Sequence, residues 1–393
     1  MTRSRIRTAI IGAGFIGRVH LEALRRVGLV DVVAIADVSG DSAARLAEAF
    51  GVERATDDVT TVLSDGSIDV VHICAPNAMH YDLATAVLRA GKHVLCEKPL
   101  AVSSDQAASL VSLAAERGLR NCTCYNLRYY PMVQQMRAMI AAGDAGNLIV
   151  VQGTYSQDWL LYDTDWNWRI DRNDGGPLRA MADIGSHWCD LVEHVTGQQI
   201  ASVCTDLATF HTTRRRPRRA VETFGGKTAP AANAFEEVRV ESDDYGAVLF
   251  RLGERVRGAF TVSQVSAGCK NRLSVEVYGT NAGMAWNGER PDELWIGRRD
   301  RPSEIMLKDP STLARAAAAY ADLPGGHSEG YDDTFKQIFR RFYRAVADPT
   351  AAAEYPQFVD GLRQMRLLDA ALASHQQRAW VDVVTEAPAP TLA

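Results

Sequence analysis

The chain has 393 residues, of which 47% are hydrophobic and 23% charged, the make-up of a soluble globular protein with about two domains of roughly 100–200 residues each. A formal net charge of −5 gives no global pull toward nucleic acid or anionic membrane. No apolar run approaches the ~20 residues of a membrane helix, so neither nucleic acid nor membrane is an expected partner.

The elements follow in chain order. The N-terminus "MTRSRIRTAIIGAGFIG" carries arginines and then an apolar run, as a signal peptide would, but no A-x-A-like cleavage site follows. Residues 6–11, "IRTAII", serve better as a first buried strand. "FIGRVHLEALRRVG" is helical and closes at Gly28. "VDVVAIAD" is a second strand, and a helix over 41–50 has Asp41 or Ser42 near its start. "IDVVHICAP" (68–76) is a third strand, "HYDLATAVLRAG" a helix ending at Gly91, and "HVLCEKP" a fourth strand. "SSDQAASLVSLAAERG" is a helix capped at Ser103 or Ser104. Strands alternating with helices of this length predict βαβ units and an α/β, doubly wound parallel sheet. Residues 1–124 are expected to form a nucleotide-binding domain.

The pattern then changes. Pro131 starts a helix in "PMVQQMRAMIAAG". Strand-like runs follow at 148–156, 201–210, 236–241, 246–252, 255–265, 272–279 and 293–296, joined by short turn-rich links. They predict a second domain, α+β with a large, mainly antiparallel open sheet, over 125–384. Helices return at 329–347 and 357–378, with a short strand at 380–383; a disordered tail is expected over 385–393. The seven cysteines are odd in number and show no C-x-x-C, which argues against a zinc or disulfide framework, so no metal is expected and a reducing cytoplasm is the simplest compartment. Cys122 and Cys124 would share one strand face as buried thiols.

Gly12, Gly14 and Gly17 form G-x-G-x-x-G. The motif follows a strand, opens a helix and is trailed by Asp37, twenty residues past Gly17 at the end of the second strand. The glycines permit a tight turn and close approach of backbone to a pyrophosphate, which the helix N-terminus attracts. Asp37 would accept from ribose hydroxyls and repel a 2′-phosphate, favouring NAD over NADP. FAD is a lesser rival for the same motif. Lys98, in "CEKPL", stands where the fourth strand ends, on the side where doubly wound sheets bind ligands. "MADIGSHWCDLVEHVTG" (181–197) reads as an amphipathic helix. Its apolar face is Ile184, Trp188, Leu191, Val192 and Val195; its polar stripe is Asp183, His187, Asp190 and His194. Periodicity alone leaves that stripe open between a wet face, a metal site and a proton-transfer site.

"AIIGAGFIG", "CAPNAMH" (74–80), "AGKHVLCEKPLA" (90–101), "YNLRYYP" (125–131) and "ADIGSHWCDL" together resemble the Gfo/Idh/MocA oxidoreductases, over nearly the whole chain. The resemblance implies a Rossmann domain followed by an open sheet whose outer face mediates homodimers or homotetramers. It implies NAD held by Gly12, Gly14, Phe15, Ile16, Gly17, Asp37, Ala75, Pro76, Asn77, His80, Glu97, Lys98, Asn126 and Arg169. Lys98, Asp183 and His187 match the family's catalytic residues: His187 as the base that takes a hydroxyl proton, Lys98 polarising that oxygen, Asp183 holding a substrate hydroxyl. The family's Lys–Pro bond is often cis, so Lys98–Pro99 is expected cis. Asp190 and His194, farther along the helix, are expected to be structural or solvated.

The expected substrate is a small carbohydrate. "YSQDWLLYDTDWNWR" (155–169) combines aromatic faces with amide and carboxylate groups, which suits a sugar ring. Gln157 and Trp159 resemble positions lining the sugar pocket of levoglucosan dehydrogenase-like members. Arg128 and Tyr129 lie in the stretch that borders the active site in the family, and His327 in a glycine-rich loop found in sugar-acting relatives. The run "RRRPRR" (214–219) is expected to be a solvated loop or subunit-contact insert; an arginine reading an anionic sugar is the other reading. The leading expectation is an NAD-dependent sugar or polyol dehydrogenase acting at C3. The alternative is an NAD-dependent glycosidase that oxidises C3 transiently, eliminates, adds water and re-reduces, on an anionic sugar glycoside such as a sulfoquinovoside. A non-enzymatic NAD-sensing regulator ranks last, since Lys98, Asp183 and His187 are all present.

Overall fold

The computed structural model describes residues 5–218 and 235–385. All but the first residue of the expected tail, and Arg219 of the arginine run, lie outside the described residues. The first half runs β1 (Ile6–Ile11), α1 (Phe15–Val27), β2 (Val30–Ala36), α2 (Gly40–Phe50), β3 (Arg54–Thr56), α3 (Val59–Ser64), β4 (Val70–Ile73), α4 (Asn77–Arg89), β5 (His93–Cys96), α5 (Ser104–Arg117) and β6 (Asn121–Thr123). Among the described residues these strands make a six-stranded parallel sheet in the order β3-β2-β1-β4-β5-β6, the doubly wound order that places a ligand crevice between β1 and β4. β1, β2, β4 and β5 are nearly continuous apolar runs because both faces are covered. β3 and β6 are three residues each, too short for periodicity to announce. α2 is capped by Ser39, whose hydroxyl accepts from the Ser42 amide, ahead of the expected start. Ser103 caps α5 as expected. Cys122 and Cys124 are fully buried.

The second half continues with α6 (Pro131–Ala141), β7 (Leu148–Ser156), α7 (Arg172–Gly175), α8 (Ser186–Thr196), β8 (Ile200–Ala208), β9 (Thr213–Pro217), β10 (Phe235–Arg239), β11 (Tyr245–Leu252), β12 (Val256–Ser263), β13 (Arg272–Gly279), β14 (Gly283–Asn287), β15 (Glu293–Gly297) and β16 (Glu304–Leu307). α9 (Arg315–Ala318), α10 (Tyr331–Ala347), α11 (Phe358–Gln377) and β17 (Val381–Asp382) end it. Nine strands form one sheet, β16-β15-β14-β13-β7-β12-β11-β8-β17. Its pairings are antiparallel except β7 with β12. One face packs on helices, where Trp188 of α8 stacks on Phe260 of β12 at 4.2 Å. The other face is open and presents Gln152, Thr154, Leu249 and Thr261 along a shallow concavity. β9 and β10 pair with each other, apart from the large sheet.

Residues 214–217 of the arginine run therefore are strand, and the first of them corrects the expectation of a solvated loop. Arg214 is fully buried: it bonds Asp244 at 2.7 Å and the carbonyl oxygens of Leu160, Tyr162 and Asp165. Arg179 takes the same carboxylate. Arg215 and Arg216 are partly exposed and paired with Asp163 and Glu236. The two halves interleave. Phe335, Phe339, Phe342 and Tyr343 of α10 share a core with Ile10 and Ile35 of the first sheet and Leu21 of α1. Among the described residues no helix is long and apolar enough to cross a membrane.

Candidate active site

A cavity of about 670 Å³ opens beyond the carboxyl ends of β1, β2, β4 and β5 and reaches the helical face of the second sheet. Its floor is the glycine-rich turn. Gly12 has φ +108°, and a Cβ there would lie 2.4 Å from the Cys74 carbonyl oxygen. A Cβ on Gly17 would lie 2.0 Å from the Gly12 oxygen. Only glycine allows this turn and this packing of α1 on β1. Gly17 itself does not line the cavity; it serves the packing. A Cβ on Gly14 would meet nothing within 4 Å and would occupy space at the cavity's edge. The residues present thus fit a pyrophosphate: bare backbone at a helix N-terminus with room above it. Asp37 stands at the rim, its carboxylate accepting from the Ala13 and Ser39 amides at 2.7 and 2.8 Å.

The other expected cofactor residues also line the cavity: Phe15, Ile16, Ala75, Pro76, Asn77, His80, Glu97, Lys98, Asn126 and Arg169. Several of their side chains are already committed within the protein. Asn77 donates to the Gly175 carbonyl at 3.0 Å, and His80 turns its ring nitrogens to the carbonyls of Pro99 and Ala75. Asn126 donates to Thr334 at 2.7 Å. These residues fix the loops that shape the cavity. Glu97 turns its carboxylate inward, to His20 at 2.9 Å and the Lys98 amide at 3.1 Å.

Lys98, Asp183 and His187 come together in the same cavity. The Lys98–Pro99 bond is cis. Lys98 Nζ donates at 2.8 Å to both the carboxylate and the backbone oxygen of Asp183. Arg169 Nε donates to the same carboxylate oxygen at 3.1 Å, and Gln264 Nε2 to the other at 2.8 Å. Residues Met181–Gly185 form a wide π-helical turn, and α8 proper begins at Ser186. Such turns interrupt a regular stripe and re-aim side chains, and they concentrate at functional sites. Burial alone would raise the Asp183 carboxyl, but Arg169 and Lys98 hold it well below the usual carboxylate range. His187 is 8% exposed. Burial, then the Lys98 charge, push it down to about 3. Its ring meets Tyr125 edge-on at 5.7 Å.

The polar stripe divides. Ile184, Trp188, Leu191, Val192 and Val195 are buried as expected. Asp190 is also buried, and it holds Arg128 in a two-pronged pair at 2.8 and 2.5 Å. Asp360 takes a further Arg128 bond at 3.0 Å. Arg128, expected beside the substrate, therefore lies off the cavity, because a buried guanidinium goes where carboxylates can pair it. Tyr129 also lies off it, donating to the Glu354 carbonyl at 3.0 Å. His194 contacts Gln134 and Arg137. His327 is exposed. Its loop is anchored where Lys308 binds Glu329 and the His327 carbonyl, and His327 does not line the cavity.

Gln157 and Trp159 do line the cavity, and Trp159 donates to Gln157 at 2.8 Å. Gln157 and Tyr155 both donate to Asn271 Oδ1 at 2.9 Å. Sequence reasoning missed Asn271, Trp168, Tyr331 and Phe335, which line the cavity, and Gln264, which donates to Asp183. Trp168 backs Arg169, whose guanidinium lies 4.3 Å from the indole centroid. Tyr331 and Phe335 sit four apart at the start of α10, a spacing indistinguishable from ordinary core.

Comparison with known proteins agrees with this layout. Residues 6–125 match the oxidoreductase family with NAD-binding Rossmann fold, and residues 133–285 match the GFO/IDH/MocA C-terminal domain. Levoglucosan dehydrogenase of Pseudarthrobacter phenanthrenivorans is 26% identical, covering 96% of this chain and 98% of that protein. The structure of a levoglucosan dehydrogenase in complex with NADH and L-sorbose superposes with a TM-score of 0.87 at 25% identity, covering 98% of this chain and all of that one. An NAD-binding oxidoreductase from Klebsiella pneumoniae superposes with a TM-score of 0.83 at 30% identity, covering 97% of this chain and all of that one.

Proposed function

The chain belongs to the Gfo/Idh/MocA oxidoreductases and has their NAD-binding Rossmann domain, and from that premise we propose that it oxidises a secondary hydroxyl of a sugar, glycoside or polyol, at C3 of a pyranose ring. The observation that carries this reading is the trio Lys98, Asp183 and His187 in one cavity with the glycine-rich turn. Bound NAD supplies the hydride acceptor. Gly12, Gly14 and the start of α1 would hold its pyrophosphate, and Asp37 at the rim would accept from the adenosine ribose.

Lys98, fixed by Asp183, donates a charge-assisted hydrogen bond to the substrate oxygen and stabilises the negative charge that develops there. Asp183 keeps Lys98 aimed and leaves Gln264 and Arg169 at the substrate's edge. His187 takes the hydroxyl proton. A histidine held near 3 is unprotonated at neutral pH, so its lone pair is available. It is a weak base toward a resting alcohol, but the Lys98 charge stabilises the alkoxide character that builds on that oxygen as its proton leaves, and hydride departure turns the oxygen into a neutral carbonyl. Proton transfer is thereby tied to hydride transfer. Trp159, Trp168 and Gln157 offer apolar faces and polar edges to a ring.

Purified protein with NAD and a panel of pyranoses, methyl glycosides and inositols tests the reading: NADH accumulates at 340 nm, with a 3-keto product. Glycoside cleavage that requires NAD but leaves no NADH would establish the redox-neutral glycosidase instead. Neither outcome on any panel member refutes both. The charge pattern favours a neutral ring, since Arg214 is buried and Arg215 and Arg216 are paired. The same reading includes assembly through the open face of the nine-stranded sheet, where Leu249 is half exposed; light scattering giving a monomer would remove that part.

A further inference from the structure

Beneath the site runs a buried chain of polar side chains that the reaction above does not use. Glu97 Oε1 lies 2.9 Å from His20 Nε2. His20 Nδ1 lies 3.0 Å from His72 Nδ1, and His72 Nε2 lies 2.9 Å from the Tyr343 hydroxyl. Tyr343 in turn meets Thr8 Oγ1 at 2.8 Å. Thr8, His20, His72 and Tyr343 are wholly buried and Glu97 nearly so. The five come from β1, α1, β4, the end of β5 and α10. Phe335 and Phe339 pack against the His20 ring at 5.4 and 4.8 Å between centroids.

With His20 neutral, one arrangement of protons satisfies every link. Glu97 is ionised, since burial raises its carboxyl but the His20 bond outweighs this and holds it at about 2. An ionised carboxylate only accepts, so His20 carries its proton on Nε2. Neutral His20 then accepts at Nδ1, and His72 must carry its proton on Nδ1. His72 accepts at Nε2 from the tyrosine hydroxyl, and Tyr343 accepts from Thr8. Burial, the largest cause, pushes His72 far below the ordinary histidine range, in keeping with a neutral ring. The donors all point one way, toward Glu97, and such aligned chains strengthen each bond. The other Glu97 oxygen accepts from the Lys98 amide at 3.1 Å.

We propose that Thr8, Tyr343, His72 and His20 form a one-directional hydrogen-bond chain that fixes Glu97, and through it the backbone of Lys98, so that these are positioning residues for the lysine at the reacting oxygen. This rests on the role assigned to Lys98 above. It also ties the helix behind the glycine-rich turn (His20), the Lys98 loop (Glu97) and the helix bearing Tyr331 and Phe335 into one unit. His20, Glu97 and Cys124 offer three ligand atoms within 4.8 Å of one another, but the chain leaves His20 no lone pair for a metal, because its Nε2 holds a proton and its Nδ1 accepts from His72.

Two experiments test this. The first needs no activity: long-range ¹H–¹⁵N correlation on ¹⁵N-histidine-labelled protein, with His20→Gln and His72→Phe assigning the signals. His20 as the Nε2–H tautomer and His72 as the Nδ1–H tautomer, both neutral near pH 7, is the expected result. Either ring charged or in the other tautomer overturns the ordered chain, as does stoichiometric zinc in the purified protein. The second is kinetic. His20→Leu lowers kcat about tenfold or more while the NAD Kd, read from NADH fluorescence, stays within about threefold. His20→Gln, whose amide N–H reaches Glu97, recovers most of the loss, and Tyr343→Phe costs a few-fold. A lower Tm with unchanged kcat in His20→Leu reduces the chain to a structural feature and refutes the positioning role. If the tautomers are found but the parent protein oxidises no panel member, the functional reading fails and the ordered chain stands.

Discussion

Replacing Lys98 by methionine removes the charge and keeps the length of the side chain. Two effects follow from the geometry. At the reacting oxygen, the substitution deletes one preorganised charged donor, and loss of one such donor costs about 10²–10³ in kcat, roughly 2.7–4 kcal/mol of transition-state stabilisation. At rest, Asp183 loses two bonds at 2.8 Å but keeps Arg169 at 3.1 Å and Gln264 at 2.8 Å. Its carboxylate therefore remains paired, and the stability cost is about 1.5–3 kcal/mol, that of a hydrogen bond to a charged group, within a total of about 5–15 kcal/mol. The variant folds. His187 also responds: burial is the larger cause of its value near 3 and stays, while the Lys98 contribution disappears. Its pKa rises toward the ordinary histidine range without reaching it. Single-turnover NADH formation and a histidine titration by NMR read the two effects separately. A rate within about threefold of the parent, or a His187 titration that does not move, refutes the arrangement.

Other consequences follow from the same geometry. Asp37→Ser removes the negative charge at the rim, and the ratio of NADP to NAD affinity rises about tenfold or more in equilibrium titration. Gly12→Ala places a Cβ 2.4 Å from the Cys74 oxygen at φ +108°; Tm falls by several degrees and NAD no longer binds measurably by calorimetry. Arg214→Met breaks a wholly buried pair and costs about 3–5 kcal/mol. Its three carbonyl bonds to residues 160–165 are lost as well, so the substrate KM rises with the NAD Kd unchanged. Finally, the folded pKa of His187 is depressed, so the unfolded chain binds that proton first. Stability therefore falls as pH drops through about 6.5 toward about 3. In urea titrations the decline above pH 4.5 is shallower in His187→Phe than in the parent.

The fold was legible where long, two-sided burial wrote itself into the sequence: four of the six strands of the first sheet are apolar runs bounded by helices. The glycine motif was legible because steric exclusion leaves no other residue at Gly12 and Gly17. What was not legible is direction around a helix or loop once charges are buried. Asp183 and Asp190 lie seven apart on the same stripe and differ in nothing that periodicity sees. One faces Lys98 and Arg169 in the cavity; the other faces Arg128 outside it. The pairing of each with its cations is decided by long-range packing, from β5 in one case and from the segment at 126–129 in the other. Asn271 and Tyr331 reach the cavity, and Gln264 reaches Asp183, from strand ends and a helix start that carry no motif at all.

Arg128 and Arg214 make the same point from the other side. Each looked like a surface or substrate cation, and each is instead held by buried carboxylates, Asp190 and Asp244. A guanidinium in a low-dielectric interior needs a partner on every face, and removing one partner costs more than the pair contributes. Such arginines are consequently fixed, and what they fix is the wall of the site: Arg214 the segment bearing Trp159, Arg128 the far side of α8 behind His187. A lysine held in the cavity by a carboxylate and arginines fixed behind it divide the labour by desolvation. The residue that must meet a substrate keeps one partner it can share, while the residues that hold the frame keep partners they cannot exchange.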